Sequence, residues 1–119
     1  MYKRQVLGCG GDRDKGKRAI MAIKACVHAD KVVFTSDNPR TEDPERIIDD
    51  MVAGVQSAHN YKRIADRTAA IKFAFEHASA NDCIVIAGKG HEDYQIFKDK
   101  TIDYSDRKLA ASLVGVSCD

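Results

Sequence analysis

The chain has 119 residues, 44% hydrophobic and 31% charged, which suits one globular domain with a real core. Nineteen Lys and Arg against eighteen Asp and Glu leave a formal charge of +1, so no broad field favours nucleic acid or an anionic membrane, and a charged ligand must be met by local groups. No apolar stretch reaches the roughly 20 residues that span a bilayer and no basic, apolar leader opens the chain, so the expectation is a cytoplasmic monomer without membrane or nucleic-acid partners.

Strand-length β-rich runs at residues 5–8, 31–35 and 83–87 each end in a polar or glycine-rich turn, and residues 63–65 fit a fourth short strand. Between the first two runs lies a helical pattern with Ile20, Ile23 and Val27 as its apolar stripe. A second helix carries Ile47, Ile48, Met51, Val52 and Val55 on one face. Asp43 is placed to cap it, Pro44 fits its first position and Gly54 its end. A third helix runs from about Arg67 with Ile71, Ala74, Phe75 and Ala78 inward. Residues 94–97 and 100–102 predict a hairpin around Asp99, and residues 106–114 a closing helix. Such alternation predicts an α/β sandwich with a mainly parallel sheet and helices on both faces.

Cys9, Cys26, Cys83 and Cys118 form no C-x-x-C pair, so no metal site is expected. Cys26 and Cys83 read as small buried thiols, and Cys9 as a steric fit beside Gly8 and Gly10.

In an open parallel sheet, ligands sit beyond the carboxyl ends of the strands. Three unusual loops fall there: Gly8-Cys9-Gly10-Gly11-Asp12-Arg13-Asp14-Lys15-Gly16-Lys17, Ser36-Asp37-Asn38-Pro39-Arg40, and Gly88-Lys89-Gly90-His91-Glu92-Asp93. In the first, Gly11 to Lys17 fits G-x-x-x-x-G-K, but Arg18 stands where Ser or Thr would ligate magnesium, and Asp12 and Asp14 would repel phosphate. The better reading is a turn whose glycines allow close backbone approach, with Asp12 or Asp14 accepting hydroxyl hydrogen bonds from a ribose. The second loop offers an anion, an amide and a guanidinium suited to a carboxylate. The third resembles a phosphate nest, yet Glu92 and Asp93 suit an ammonium better, and His91 reads equally well as a loop imidazole or an acid–base group. Arg13 and Arg40 beside Asp37 and Glu92 fit a zwitterionic amino acid better than a nucleotide alone.

These loops, with Asp103-Tyr104-Ser105-Asp106-Arg107, resemble in order and spacing the carboxy-terminal domain of the Mur ligases, in their MurE-type, diaminopimelate-adding branch, over residues 6–116. The resemblance implies a Rossmann-like three-layer α/β sandwich, its mainly parallel sheet followed by a carboxy-terminal β-hairpin. It also implies part of an ATP-dependent acid–amino-acid ligase of peptidoglycan synthesis. In this family ATP phosphorylates the D-glutamate carboxylate of UDP-N-acetylmuramoyl-L-alanyl-D-glutamate. The amine of the incoming amino acid then attacks the acyl phosphate to give a new amide. By motif match, the Asp37-Asn38-Pro39-Arg40 run would hold the far end of meso-diaminopimelate. Arg13 would pair with a carboxylate, and Glu92 with the Gly88 carbonyl would take an ammonium. Lysine-adding relatives usually lack the arginine of this motif, so Arg40 bears on the choice of amino acid.

The family's ATP loop, carbamylated lysine and most Mg²⁺ ligands belong to a central domain, and its UDP-sugar site to an amino-terminal one; neither is found in these residues. Members also begin this domain with a further strand and helix, so an unpaired sheet edge is expected. Residues 1–5 read as a foreign leader, and the chain by itself as a catalytically inactive fragment to which no catalytic residue is assigned. The competing expectations are a stand-alone Rossmann-like module for an amino acid or nucleotide, a Mur ligase that adds a different amino acid, and a remnant without affinity.

Overall fold

A computed structural model describes residues 2–89 and 92–114. Its elements are β1 (Lys3–Cys9), α1 (Gly16–His28), β2 (Lys31–Ser36), α2 (Pro44–Val52), β3 (Tyr61–Arg63), α3 (Arg67–His77), β4 (Cys83–Ala87), β5 (Tyr94–Ile96), β6 (Thr101–Asp103) and α4 (Asp106–Val114). The first four strands form one parallel sheet in the order β3-β2-β1-β4, while β5 and β6 pair antiparallel in a separate two-stranded sheet.

Alternation along the strands builds the layers. Leu7, Cys9, Val32 and Phe34 face one side, against Ala22 and Ala25 of α1 and Ile47, Ile48 and Met51 of α2. Val6 and Val33 face the other, against Ala70, Ile71 and Ala74 of α3, with Leu109 of α4 packed alongside. The chain steps outward from β1 to β3 with α1 and α2 on one face, then returns across the sheet through α3 to set β4 on the far side of β1. Right-handed crossovers require that change of face. The result is the expected three-layer α/β sandwich with its hairpin.

Local chemistry starts α2 as the sequence predicts, and α3 by a cap the sequence reading did not name. Asp43 accepts from the Glu45 amide with Pro44 in the first turn, and Asp66 accepts from the Ala69 amide to open α3. These caps satisfy amides that the helices cannot.

Five expectations need correction. The buried face of α1 is Arg18, Ala22 and Ala25, whereas Ile20, Ile23 and Val27 are exposed, Val27 by 72%. Both sets recur at helical spacing; the small alanines win because they let the helix lie close to the sheet. Cys83 is exposed rather than buried, since it is the first residue of β4, which has β1 as its one partner strand among the described residues. The short strand after α2 lies at Tyr61–Arg63, two residues earlier than residues 63–65. The hairpin strands are Tyr94–Ile96 and Thr101–Asp103, so each shifts by one residue at one or both ends. β1 itself starts at Lys3 and pairs from there with Cys83.

Candidate functional site

Register fixes where the loops emerge. Leu7 lies beside both Phe34 and Ala87, and Cys9 beside Ser36, so the chain leaves β1, β2 and β4 at one rim. Around it is a cleft of about 360 Å³ whose lining includes Gly8, Gly10, Arg13, Asp14, Asp37 and Gly88.

The first two loops are fused at their backbones. The Gly11 amide donates to the Asn38 carbonyl at 2.7 Å, and a methyl group on Gly11 would overlap the Pro39 carbonyl. The glycines therefore serve approach of one protein loop to another. Arg40 adopts φ = 54°, and its Nη1 donates to the Gly11 carbonyl at 2.9 Å. Arg40 Nη1 and the Arg13 stem both flank Gly10. Among the described residues neither guanidinium meets a carboxylate. Each keeps donors for an outside anion.

Beneath this surface lies a tier of paired cations. Lys89 is buried, and its Nζ donates to Asn38 Oδ1 at 3.0 Å and the Tyr94 carbonyl at 2.8 Å. The same ammonium sits 2.8 Å from Asp37 Oδ1 and 3.9 Å from Glu92 Oε1. Arg67 is wholly buried. It grips Asp106 through Nε at 2.9 Å and Nη2 at 2.7 Å, and reaches the Ser36 and Ala87 carbonyls. Those two carbonyls immediately precede Asp37 and Gly88, so this one side chain ties together the roots of both loops. Tyr104 adds a 2.6 Å hydrogen bond to Asp106 Oδ1. Burial works against the charged carboxylate, but the hydrogen bonds from Arg67 and Tyr104 prevail and lower the Asp106 pKa. Burial, helped by the Asp106 acceptor, pushes the Tyr104 phenol up.

Arg18, where a P-loop would place Ser or Thr, is buried and held by Glu42, Asp50 and the Gly10 carbonyl. It props the turn from below, which leaves the first loop without a phosphate cradle's magnesium ligand. Its hydrogen bond, with that of the Asp12 amide, holds Glu42 down at about 2. Cys9 is buried near the Met21 thioether, and desolvation raises its thiol to about 11, so it is inert at neutral pH.

The structure thus sets Arg13, Asp37 and Gly88 on the cleft wall, Arg40 against the Gly11 carbonyl and Glu92 beyond the Lys89 ammonium, while Asn38 and Pro39 are buried behind them. Gly88, at φ = 116°, takes a conformation that suits glycine. Asp12 is turned to Thr41, accepting from its amide and hydroxyl. Asp14 Oδ1 accepts from the Gly16 amide and leaves Oδ2 without a hydrogen bond among the described residues. His91 and Gly90 lie outside the described residues. Sequence reasoning missed Arg67 and the role of Lys89. An Arg opening an otherwise apolar helix face, three residues before Ala70, was the available signal for the first.

Residues 3–90 match the family described as Mur ligase, glutamate ligase domain. Over 112 residues the chain is 52% identical to a UDP-N-acetylmuramoyl-L-alanyl-D-glutamate–2,6-diaminopimelate ligase of Vibrio vulnificus, covering 94% of this chain and 23% of that protein. A ligase of the same name from Listeria innocua is 55% identical over 102 residues, 86% of this chain and 21% of the relative. A solved structure of such a ligase superimposes with a TM-score of 0.89 at 48% identity, over 96% of this chain and 24% of that one. The chain spans less than a quarter of the length of these relatives.

Proposed function

The chain belongs to the Mur ligase family, in its glutamate ligase domain, and from that premise we propose that it is the carboxy-terminal, amino-acid-recognising part of an ATP-dependent ligase joining meso-diaminopimelate to UDP-N-acetylmuramoyl-L-alanyl-D-glutamate. The relatives carry that name. The observation that supports the reading most is the sign and spacing of free groups at the rim. The Arg40 guanidinium and the Arg13 stem flank Gly10, neither arginine with an acidic partner among the described residues, while Asp37 and Glu92 lie about one buried ammonium. Diaminopimelate has two carboxylates and two amines, so opposite charges at separated points match it end for end.

In this reading Asn38 and Arg40 take the distal carboxylate and Asp37 the distal ammonium. Arg13 takes the other carboxylate, with Glu92 and the Gly88 carbonyl on the other amine. Lysine has no distal carboxylate, so it leaves the partly buried Arg40 fork unpaired and is rejected. ATP meets this part of the enzyme at its ribose, and Asp14 is the better candidate of the two aspartates because one of its oxygens is uncommitted. Bound Mg²⁺ would neutralise the transferred phosphoryl group. Among the described residues no cluster of three or more His, Cys, Asp or Glu side chains could hold it, so its ligands belong to the rest of the enzyme. Among the described residues no helix is long and apolar enough to cross a membrane, and we assign the enzyme to the cytoplasm as a monomer.

The test replaces the matching segment of the full-length Vibrio vulnificus relative with this chain and measures phosphate release. Release that depends on meso-diaminopimelate and is at least tenfold weaker with L-lysine supports the reading. Equal rates with both amino acids, or release dependent on neither, would refute it.

A further inference from the structure

Asn38 is an amide with one acceptor end and one donor end, and its orientation decides which ligand group it can meet. Two donors converge on its oxygen: the Lys89 ammonium at 3.0 Å and the Ile96 amide at 2.9 Å. Turning the amide over would set its NH₂ against both of them, which is repulsive and leaves three buried donors facing one another. The oxygen is therefore locked inward. Among the described residues Nδ2 meets no acceptor, so the uncommitted end of this nearly buried side chain can only donate.

Asp37 is fixed by the same cation. Its Oδ1 lies 2.8 Å from Lys89 Nζ, and Oδ2 is near the α-carbon of Gly88, on the cleft side. Lys89 itself is fully committed. Two of its N–H donors meet Asn38 Oδ1 and the Tyr94 carbonyl, Asp37 Oδ1 pairs with the charge at 2.8 Å without a hydrogen bond, and the rings of Tyr94 and Tyr104 lie 5.8 and 5.9 Å from the ammonium. With no exposed side-chain surface, it cannot touch a ligand in the cleft.

We propose that Lys89 is a positioning residue that sets the polarity of the amino-acid site: its buried ammonium turns Asn38 into an obligate donor for a carboxylate and presents Asp37 as the neighbouring acceptor for an ammonium. The proposal rests on the ligase reading above and deepens it, because donor and acceptor on adjacent residues select a carboxylate and an amine attached to one carbon. Lys89 thereby reads the distal end of diaminopimelate without contacting it. A neutral side chain at 89 frees the Asn38 amide to rotate and removes the counter-charge that orders Asp37.

The experiment uses the full-length Vibrio vulnificus hybrid carrying this chain, with Lys89→Met and Lys89→Arg. Lys89→Met should raise the KM for meso-diaminopimelate at least tenfold, leave the KM for ATP within twofold, and narrow the preference over L-lysine; Lys89→Arg, which keeps the charge, should recover part of that loss. In parallel, the hybrid with wild-type Lys89 is labelled with ¹⁵N-asparagine and titrated with meso-diaminopimelate and with L-lysine. The Asn38 NH₂ resonances should shift with the first and not with the second. If Lys89→Met does not fold, this titration decides alone. Unchanged KM values in a folded Lys89→Met hybrid, equal rises for both substrates, or Asn38 resonances indifferent to diaminopimelate overturn the assignment. A hybrid with Lys89 intact that does not add diaminopimelate overturns the functional reading first, and the role of Lys89 with it.

Discussion

Arg67 under the cleft and Arg13 on its wall are the same residue type put to opposite use. Arg67 lies out of water, both edges of its guanidinium matched by Asp106 and by carbonyls of the Ser36 and Ala87 turns. Arg13 is exposed, with one long 3.4 Å hydrogen bond to the Asp12 carbonyl. Arg40 stands between them, half-buried, its Nη1 on the Gly11 carbonyl. The difference teaches that charge at this rim is divided into two tiers. The lower tier is internally neutralised and sets geometry; the upper tier is left open for a ligand's charges.

The comparison breaks or sharpens according to what each substitution does to the purified chain. Arg67→Met should have the largest effect, about 3–5 kcal/mol in urea unfolding, because it leaves Asp106 buried without its partner. The double variant Arg67→Met with Asp106→Leu should recover a substantial part of that loss, and failure to recover would mean that the carbonyl contacts outweigh the ion pair. Gly11→Ala comes next, at about 1–3 kcal/mol for overpacking against the Pro39 carbonyl; a stable variant would show that the two loops can part. Glu42 supplies the acid limb. Its folded pKa of about 2 lies below its ordinary 4.5, so the stability it adds is present above pH 4.5 and is lost as pH falls toward 2. Glu42→Gln should flatten the stability profile across that window. Smallest of all, Arg13→Ala should change stability by no more than about 0.5 kcal/mol, although in the full-length hybrid it should raise the KM for diaminopimelate. An Arg13→Ala cost near that of Arg67→Met would abolish the distinction between tiers.

Much of the upper tier was legible in sequence. Glycine, proline and charge at the ends of apolar runs announce loops, and a parallel sheet sends such loops to one rim. The lower tier was hidden for physical reasons. Lys89 stands in a glycine-rich loop, where a phosphate nest is the natural reading; its burial depends on Asn38, fifty-one residues away. Arg67 opens α3 and looks like a solvated first-turn cation until α4 brings Asp106 against it. The inverted face of α1 failed differently, because two apolar stripes fit one helix and the sequence cannot say which set the sheet will accept. Cys83 illustrates a third case, since its neighbours are apolar but its strand pairs on one side alone among the described residues.

The positive φ of Arg40 carries a consequence for redesign. A side chain at 54° occupies a region of backbone space where asparagine and glycine rest more easily than arginine. A library aimed at uncharged amino acids therefore meets little resistance from the scaffold at this position: Arg40→Asn relaxes the main chain while it deletes the guanidinium. Arginine retained here under a screen that demands diaminopimelate use, and replaced under one for thermal robustness alone, would report ligand recognition over its 2.9 Å bond to the Gly11 carbonyl.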